Sequence, residues 1–145
     1  MSKLDFSITG GDELERALMK LPKKLGVSVA KTGVRAMATV IRKEAKRNVA
    51  AKAVDTGDLN RSIDVVARQS KKRGEFIASV VTRSGKKYGA KGKNAWYASM
   101  IEFGTKNRPA TPFMRPALDT KYKEAIKVMA DKISARITKL SLGPK

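Results

Sequence analysis

Acidic side chains are the first place to look for chemistry, because the chain contains neither histidine nor cysteine. That absence removes the usual near-neutral general base, thiolate nucleophiles and Cys/His zinc sites. Asp55 and Asp58 are the closest acidic pair that no helix start explains. A divalent cation normally needs more oxygen ligands than two carboxylates supply, so a turn that starts a short helix explains the pair better. We expect no metal and no cofactor.

Two further patterns that often carry catalysis are incomplete here. Gly85, Gly89 and Gly92 follow neither the phosphate-loop spacing nor a strand–GxGxxG–helix context. No serine and lysine stand at a spacing that supports a nucleophile and its base. We therefore expect that the chain is not an enzyme and has no small-molecule substrate.

Net charge is the strongest compositional signal. The chain has 32 lysines and arginines against 13 acids, a formal net charge of +19. Such a field repels itself, so we expect a polyanion or an acidic protein surface to compensate it. The alternative is a solvated basic surface that serves solubility.

Many of these cations surround a predicted hairpin tip and the loop that follows it. Residues 68–93 contain one acid, Glu75, and the basic loop at about residues 84–95 is long enough to be flexible or functional. Cations placed this way neutralise phosphates without reading bases, which gives sequence-independent, salt-dependent DNA binding. A solvated hairpin tip is the alternative. The candidate DNA-facing residues are Arg68, Lys71, Lys72, Arg73, Lys86, Lys87, Lys91 and Lys93.

Two long amphipathic helices are predicted to position these segments. Apolar residues recur at steps of three and four in two stretches, which predicts helices over about residues 22–49 and 114–140. Gly33 weakens the first helix locally, and a small residue there indicates close packing against another element.

Alternating apolar residues predict the strands. They indicate an antiparallel hairpin at about 63–69 and 75–83, and a further short strand over Leu4–Ile8. Short helices are predicted after Gly10–Gly11, before Ser62 and over Tyr97–Phe103. We expect an α+β fold in which a small antiparallel β-sheet packs against two long α-helices with short connecting helices, all in one domain over residues 1–145. Neither a secretion signal nor a membrane-spanning run is expected.

The segment from Trp96 to Asp119 combines a short helix, a glycine exit and a proline-rich arm. Gly104 permits a sharp turn out of the helix. Glu102 is the odd member among apolar residues: it either pairs with Arg108 or Arg115, in its own chain or a neighbour's, or stays an exposed carboxylate. The residues expected to pack this helix into the core are Tyr97, Met100, Ile101 and Phe103.

Three prolines, at positions 109, 112 and 116, stiffen the arm. A rigid arm that carries Phe113 and Met114 suits a docking contact between subunits, because little freedom is lost on binding. The alternative is that Phe113 closes the core of its own domain. The candidate docking residues are Tyr97, Glu102, Phe103, Arg108, Pro112, Phe113 and Arg115.

Three short motifs occur in a characteristic order. They read TG-x-L-x-x-SI, then YA-x-x-x-EFGT after a hairpin, then P-A-x-PF-x-x-PA. In this combination the chain resembles the tail-component family of long-tailed bacteriophages, whose namesake is the HK97 neck or tail-completion protein. The matching residues are Thr56, Gly57, Leu59, Ser62 and Ile63; Tyr97, Ala98, Glu102, Phe103, Gly104 and Thr105; and Pro109, Ala110, Pro112, Phe113, Pro116 and Ala117.

The resemblance implies a structural virion protein at the head–tail junction, assembled in the bacterial host cytoplasm. It implies a homo-oligomeric ring, with a hexamer favoured, that completes or terminates the tail and allows head joining. The implied partners are head-closure or connector proteins, tail-tube proteins and genomic DNA in the lumen. Neck, tail-completion and tail-terminator roles are not separated. The competing hypothesis is a sequence-independent architectural nucleic-acid-binding protein, which explains the charge but not the motifs of residues 97–117.

Overall fold

Two long helices and a two-stranded sheet make up most of the described chain. A computed structural model describes residues 23–52, 57–70, 76–86 and 94–141, together with Arg16 and Lys20. The elements in chain order are α1 (Lys23–Ala51), α2 (Asp58–Ser62), β1 (Ile63–Gln69), β2 (Phe76–Thr82), α3 (Ala98–Phe103) and α4 (Met114–Ser141). The predicted α+β fold, with a small antiparallel sheet on two long helices and short connecting helices, is confirmed.

Helix α1 is the central element, since it packs on α4 and on both strands. Its apolar residues Val29, Ala38, Ile41, Ala45 and Val49 are buried. Ala38, Ile41, Ala45 and Val49 recur at steps of three and four residues, as one face of an amphipathic helix requires. Because α4 covers one side of α1 and the strands cover another, α1 contributes buried residues to the core on both sides.

Gly33 lies at a close contact between α1 and α4. A β-carbon added there would stand 2.4 Å from Ile133 Cγ1 and 3.3 Å from Met129 Cγ. The Asn48 amide, fifteen residues later in α1, donates a hydrogen bond to the Phe113 carbonyl at 3.0 Å. The two helices are therefore antiparallel, and the close packing that Gly33 predicted is confirmed.

The sheet pairs β1 with β2 in antiparallel register, with Val65 opposite Val80 and Asp64 opposite Val81. Ile63 and Val65 are buried, and Val80 packs against the same core. Because side chains alternate between the two faces of a strand, these residues form the face that lies on α1. The carboxylate of Asp64 accepts a hydrogen bond from Arg83 at 3.0 Å and lies 3.7 Å from the guanidinium of Arg42 in α1.

The turn into the sheet is built around α2. Gly57 precedes it with φ at 93°, a left-handed conformation that favours glycine. Leu59 is fully buried, and the buried Ser62 hydroxyl donates to the Leu59 carbonyl at 2.7 Å. The Asn60 amide donates to the Lys46 carbonyl of α1 at 2.9 Å. This short motif therefore fixes where the first strand starts relative to α1.

Most predicted element boundaries agree with the structure to within one or two residues. The predicted strand at Leu4–Ile8 and the short helix after Gly10–Gly11 lie outside the described residues, and the single-domain organisation stays a prediction. Leu118, an apolar residue in the first turns of α4, is 53% exposed. Among the described residues, no helix is long and apolar enough to span a membrane.

Candidate docking surface

Helix α3 has one buried and one exposed apolar face. Ala98 and Ile101 are buried in the core, together with Ala95 just before the helix. Trp96, Met100 and Phe103 are exposed by 65%, 46% and 73%. Met100 and Phe103, three residues apart in α3, lie on the same side of the helix, and Trp96 lies in the turn just before it. We call Trp96, Met100 and Phe103 the apolar face of α3.

This arrangement corrects the prediction that Met100 and Phe103 pack into the core. Ile101 and Ala98 are buried in the core cluster, and the half-buried Tyr97 packs against the same cluster. A helix of six residues is too short for apolar periodicity to select one side, because both of its faces carry large apolar residues. Only the packing of the neighbouring elements decides which face is covered.

Glu102 holds the start of α4. Its carboxylate accepts hydrogen bonds from the backbone N–H groups of Phe113 at 2.7 Å, Met114 at 2.9 Å and Arg115 at 3.0 Å. The N–H groups of the first helical turn have no partner inside the helix, and the helix dipole favours a negative charge there. Glu102 is therefore a helix cap supplied from eleven residues upstream.

Pro116 completes this cap, since it follows the three donors and has no N–H of its own. Burial raises the pKa of Glu102. The backbone hydrogen bonds from Met114, Phe113 and Arg115, with the charge of Arg115, outweigh burial and hold the pKa below its ordinary value. Within its own chain, Glu102 bonds to the backbone N–H groups of the helix start and forms no ion pair with Arg108 or Arg115. Pairing with an arginine of a neighbouring chain stays a prediction.

Gly104 turns the chain sharply after α3. Its φ is 76°, and an added β-carbon would stand 2.7 Å from the Ala110 nitrogen and 3.0 Å from the Arg108 carbonyl oxygen. Thr105 and Arg108 then exchange two backbone hydrogen bonds, at 2.8 and 3.2 Å, around an exposed two-residue tip. The sharp turn predicted at Gly104 is confirmed. The missing side chain lets the backbone at Gly104 lie against the backbone of Arg108 and Ala110.

The proline-rich arm is tied to the end of α1. The Thr111 N–H donates to the Ile101 carbonyl at 2.8 Å. The Lys52 ammonium donates to the Pro112 carbonyl, and Asn48 to that of Phe113. Phe113 itself is 2% exposed. It closes the core of its own domain, which was one of the two roles that the sequence left open for it.

A groove of about 460 Å³ lies beside the apolar face, between β2, α3 and the start of α4. Val80, Val81 and Met114 provide apolar lining, and Phe103 and Arg115 stand at the groove as well. Arg108 is exposed on the nearby turn. Because the carboxylate of Glu102 is committed to the helix start, this surface offers apolar side chains with basic neighbours.

Comparison with known proteins decides the family. The family model described as "Bacteriophage HK97-gp10, putative tail-component" matches residues 12–104. The chain belongs to this family. Searches among curated proteins and among solved structures found no significant match.

Membership of the HK97-gp10 family confirms the resemblance seen in the motifs and makes the chain a phage tail component. The match ends at Gly104, so the arm of residues 105–116 lies beyond it. In the structure the two parts are joined, because Glu102 and Gly104 each contact the arm directly. The EFGT motif of this family member thus supports the segment that follows it.

Few of the candidate DNA-facing residues of this HK97-gp10 family member fall in the described part of the chain. Arg68, in β1, and Lys86, after β2, are both exposed. The base of the basic loop is closed by backbone bonding between Ala95 and Arg83 at 2.9 Å and by Gly85 donating to the Asn94 side chain at 2.8 Å. The residues that lie outside the described chain are Lys71, Lys72, Arg73, Lys87, Lys91 and Lys93.

Two features of this surface were not predicted from the sequence. Trp96 and Met100 were not among the candidate docking residues, although they form the exposed face with Phe103. The capping role of Glu102 was also missed. The sequence does contain a signal for this role. Phe113, which precedes α4, has no side-chain acceptor that could cap the helix, and Pro116 in the first turn marks a helix start. Among the described residues, no cluster of three or more acids could hold a metal ion.

Proposed function

We propose that this tail component forms a ring, with a hexamer favoured, at the head–tail junction of a long-tailed phage. There it completes or terminates the tail and allows the head to join. Its proposed neighbours are head-closure or connector proteins on one side and tail-tube proteins on the other, with genomic DNA in the lumen. Assembly would take place in the host cytoplasm. The role requires no catalytic site, and we propose that the chain is not an enzyme.

The observation that carries this proposal is the apolar face of α3. Trp96 and Phe103 are aromatic and exposed by 65% and 73%, and the backbone at Phe103 is held by the contacts of its neighbours Glu102 and Gly104. Large aromatic side chains dominate protein–protein interfaces, and exposed apolar patches mark interaction sites. A rigid support lowers the entropy lost on docking. The surface therefore suits a protein partner better than free solution.

Substitution at this face tests the docking role. Trp96→Ser with Phe103→Ser should leave the free energy of unfolding within about 0.5 kcal/mol, because both side chains are exposed. It should abolish ring formation, measured by size exclusion with light scattering in the presence and absence of purified tail tubes. The matched control is Leu25→Ser, an exposed apolar residue on α1. Ring formation that survives the double substitution would overturn the assignment of this face.

A further inference from the structure

A second groove lies between α1 and α4, on the side of the molecule where these two helices face solvent. Its volume is about 700 Å³. The apolar side chains in it are small or β-branched: Ala36, Val40 and Val128. Its cations are Arg35, Lys43, Arg47, Lys121 and Lys132.

The cations follow the groove in two rows. Arg35, Lys43 and Arg47 are separated by eight and four residues, so they lie along one side of α1. At 1.5 Å per residue, Arg35 and Arg47 are about 18 Å apart along the helix. Lys121 and Lys132 mark a span of about 16 Å on α4. The charge is therefore extended along the groove rather than gathered at a point.

The two acids in the groove are each taken by a neighbouring cation. Glu44 pairs with Arg47 at 3.3 Å, and Glu124 pairs with Lys121 at 2.6 Å. Arg35, Lys43 and Lys132 are exposed and form no ion pair with any residue that the structure describes. Three positive charges thus remain uncompensated along the groove.

We propose that the α1–α4 groove binds the phosphate backbone of duplex DNA without regard to sequence. Duplex DNA carries one negative charge per about 1.7 Å of its axis, so an 18 Å length carries about ten phosphate charges, and those on its near side face the two rows. This inference rests on the proposed function for its setting, since a head–tail joint carries the genome. It names the surface of contact, which differs from the hairpin and loop residues.

The lining of the groove favours duplex DNA over other anionic partners. Single-stranded nucleic acid binds on aromatic side chains that stack with bases, and the groove has none. Protein partners are held by large apolar or aromatic anchors in pockets, whereas Ala36, Val40 and Val128 offer only small ones. Thr32 and Thr39 donate their hydroxyl groups to carbonyls of α1 at 2.9 and 2.8 Å. The free cations are the groups left to make contacts.

Two triple variants with equal loss of charge test the groove. Arg35→Gln, Lys43→Gln and Lys132→Gln remove its unpaired cations. Lys106→Gln, Lys123→Gln and Lys127→Gln are the matched control, since they also remove three positive charges from exposed positions, none of which lines the groove. All six substituted side chains are at the surface, and circular dichroism confirms that each variant is folded. If the triple groove variant is not folded, the double variant Arg35→Gln, Lys132→Gln replaces it.

Binding of the full chain to two short labelled duplexes of unrelated sequence is measured over a range of salt concentration. The slope of log K against log salt should fall in magnitude by about 2–3 for the groove variant, because each lost phosphate contact removes about 0.9. The control should change it by less than about 1. Both duplexes should respond alike.

If the two variants lost DNA binding equally, the proposal would be overturned, because binding would then depend on net charge and not on the position of the cations. An unchanged slope in the groove variant would overturn it as well. Polyglutamate that binds as tightly as duplex DNA, and loses binding in the same variant, would assign the groove to an acidic protein instead. The ring-formation assay does not depend on these outcomes. A negative result for DNA binding at the groove therefore leaves the docking role of the α3 face untouched, and a negative result for ring formation leaves the groove proposal untouched.

Discussion

At the scale of single residues, Glu102 decides how the arm and α4 meet. Its carboxylate serves three backbone donors at once, and Pro116 removes the next one. A capping side chain usually lies at the first residue of its helix, as serine or aspartate does. Here the acceptor comes from α3, so the cap also fixes the distance between two helices. Loss of this one side chain should therefore loosen the whole segment.

Glu102→Gln tests the cap through its pH dependence. At neutral pH the substitution should lower the free energy of unfolding by about 1–2 kcal/mol, the usual range for a lost helix cap. The pKa of Glu102 is held below its ordinary value in the folded chain, so its contribution is complete above that ordinary value. The contribution is lost as the pH falls through the lower, folded-state pKa. Urea unfolding of both proteins across this range should show the difference shrinking in acid.

The control for this experiment is Glu124→Gln. Glu124 pairs with Lys121 on the exposed side of α4 and bonds no backbone donor among the described residues. An exposed pair of this kind contributes little, so the substitution should change stability by less than about 0.5 kcal/mol. A Glu102→Gln difference that stays constant with pH would contradict the capping role.

At the scale of elements, the contact of α1 with α4 depends on the absence of a side chain at Gly33. Glycine weakens a helix by about 1 kcal/mol relative to alanine, yet it stands near the middle of α1. The structure supplies the reason, because Ile133 is buried against it and leaves no room for a β-carbon. Gly33 lowers the helix propensity of α1 locally, and in return α1 and α4 pack more closely.

A double-mutant cycle on Gly33 and Ile133 measures this contact. Gly33→Ala should destabilise the chain by about 1–3 kcal/mol in spite of its better propensity, because the core is overpacked. Ile133→Ala alone should cost about 2–5 kcal/mol through the cavity it leaves. The two together should cost at least about 1 kcal/mol less than their sum, because the methyl group then occupies vacated space. Additive losses in chemical denaturation would show that the two residues do not meet.

At the scale of the whole molecule, charge opposes folding. The net charge is +19, and the described residues form five ion pairs. A net charge so far from zero destabilises the compact state through self-repulsion, and salt screens that repulsion. Stability and assembly of this tail component should therefore both depend on counter-ions, whether these are small anions or phosphates.

Thermal unfolding in increasing sodium chloride tests this balance. The midpoint temperature should rise between low and moderate salt, and a gain of about 1 kcal/mol corresponds to roughly 3–5 °C for a chain of this size. The charge-reduced variant Lys106→Gln, Lys123→Gln, Lys127→Gln should show a smaller rise, because less repulsion is left to screen. A midpoint that falls with salt would indicate instead that the ion pairs outweigh the repulsion.

The sequence by itself determined the elements and the family. Apolar steps of three and four residues marked both long helices, alternation marked the hairpin, and short motifs around Gly57, Gly104 and Phe113 identified the tail-component family. These features are local, because each depends on residues close together in the chain. They follow from the periods of helices and strands and from the backbone freedom of glycine.

Only the tertiary structure decided which surfaces these elements leave open. Phe103 and Phe113 are aromatic residues of two neighbouring motifs, yet Phe103 is exposed and Phe113 is buried. Glu102 bonds to backbone donors and not to an arginine of its own chain. Cations of α1 and α4, which are far apart in the sequence, line one groove. Burial and charge neighbourhood depend on residues far apart in the chain. For that reason no local pattern contains them, and they arise only when α1 packs between the sheet and α4.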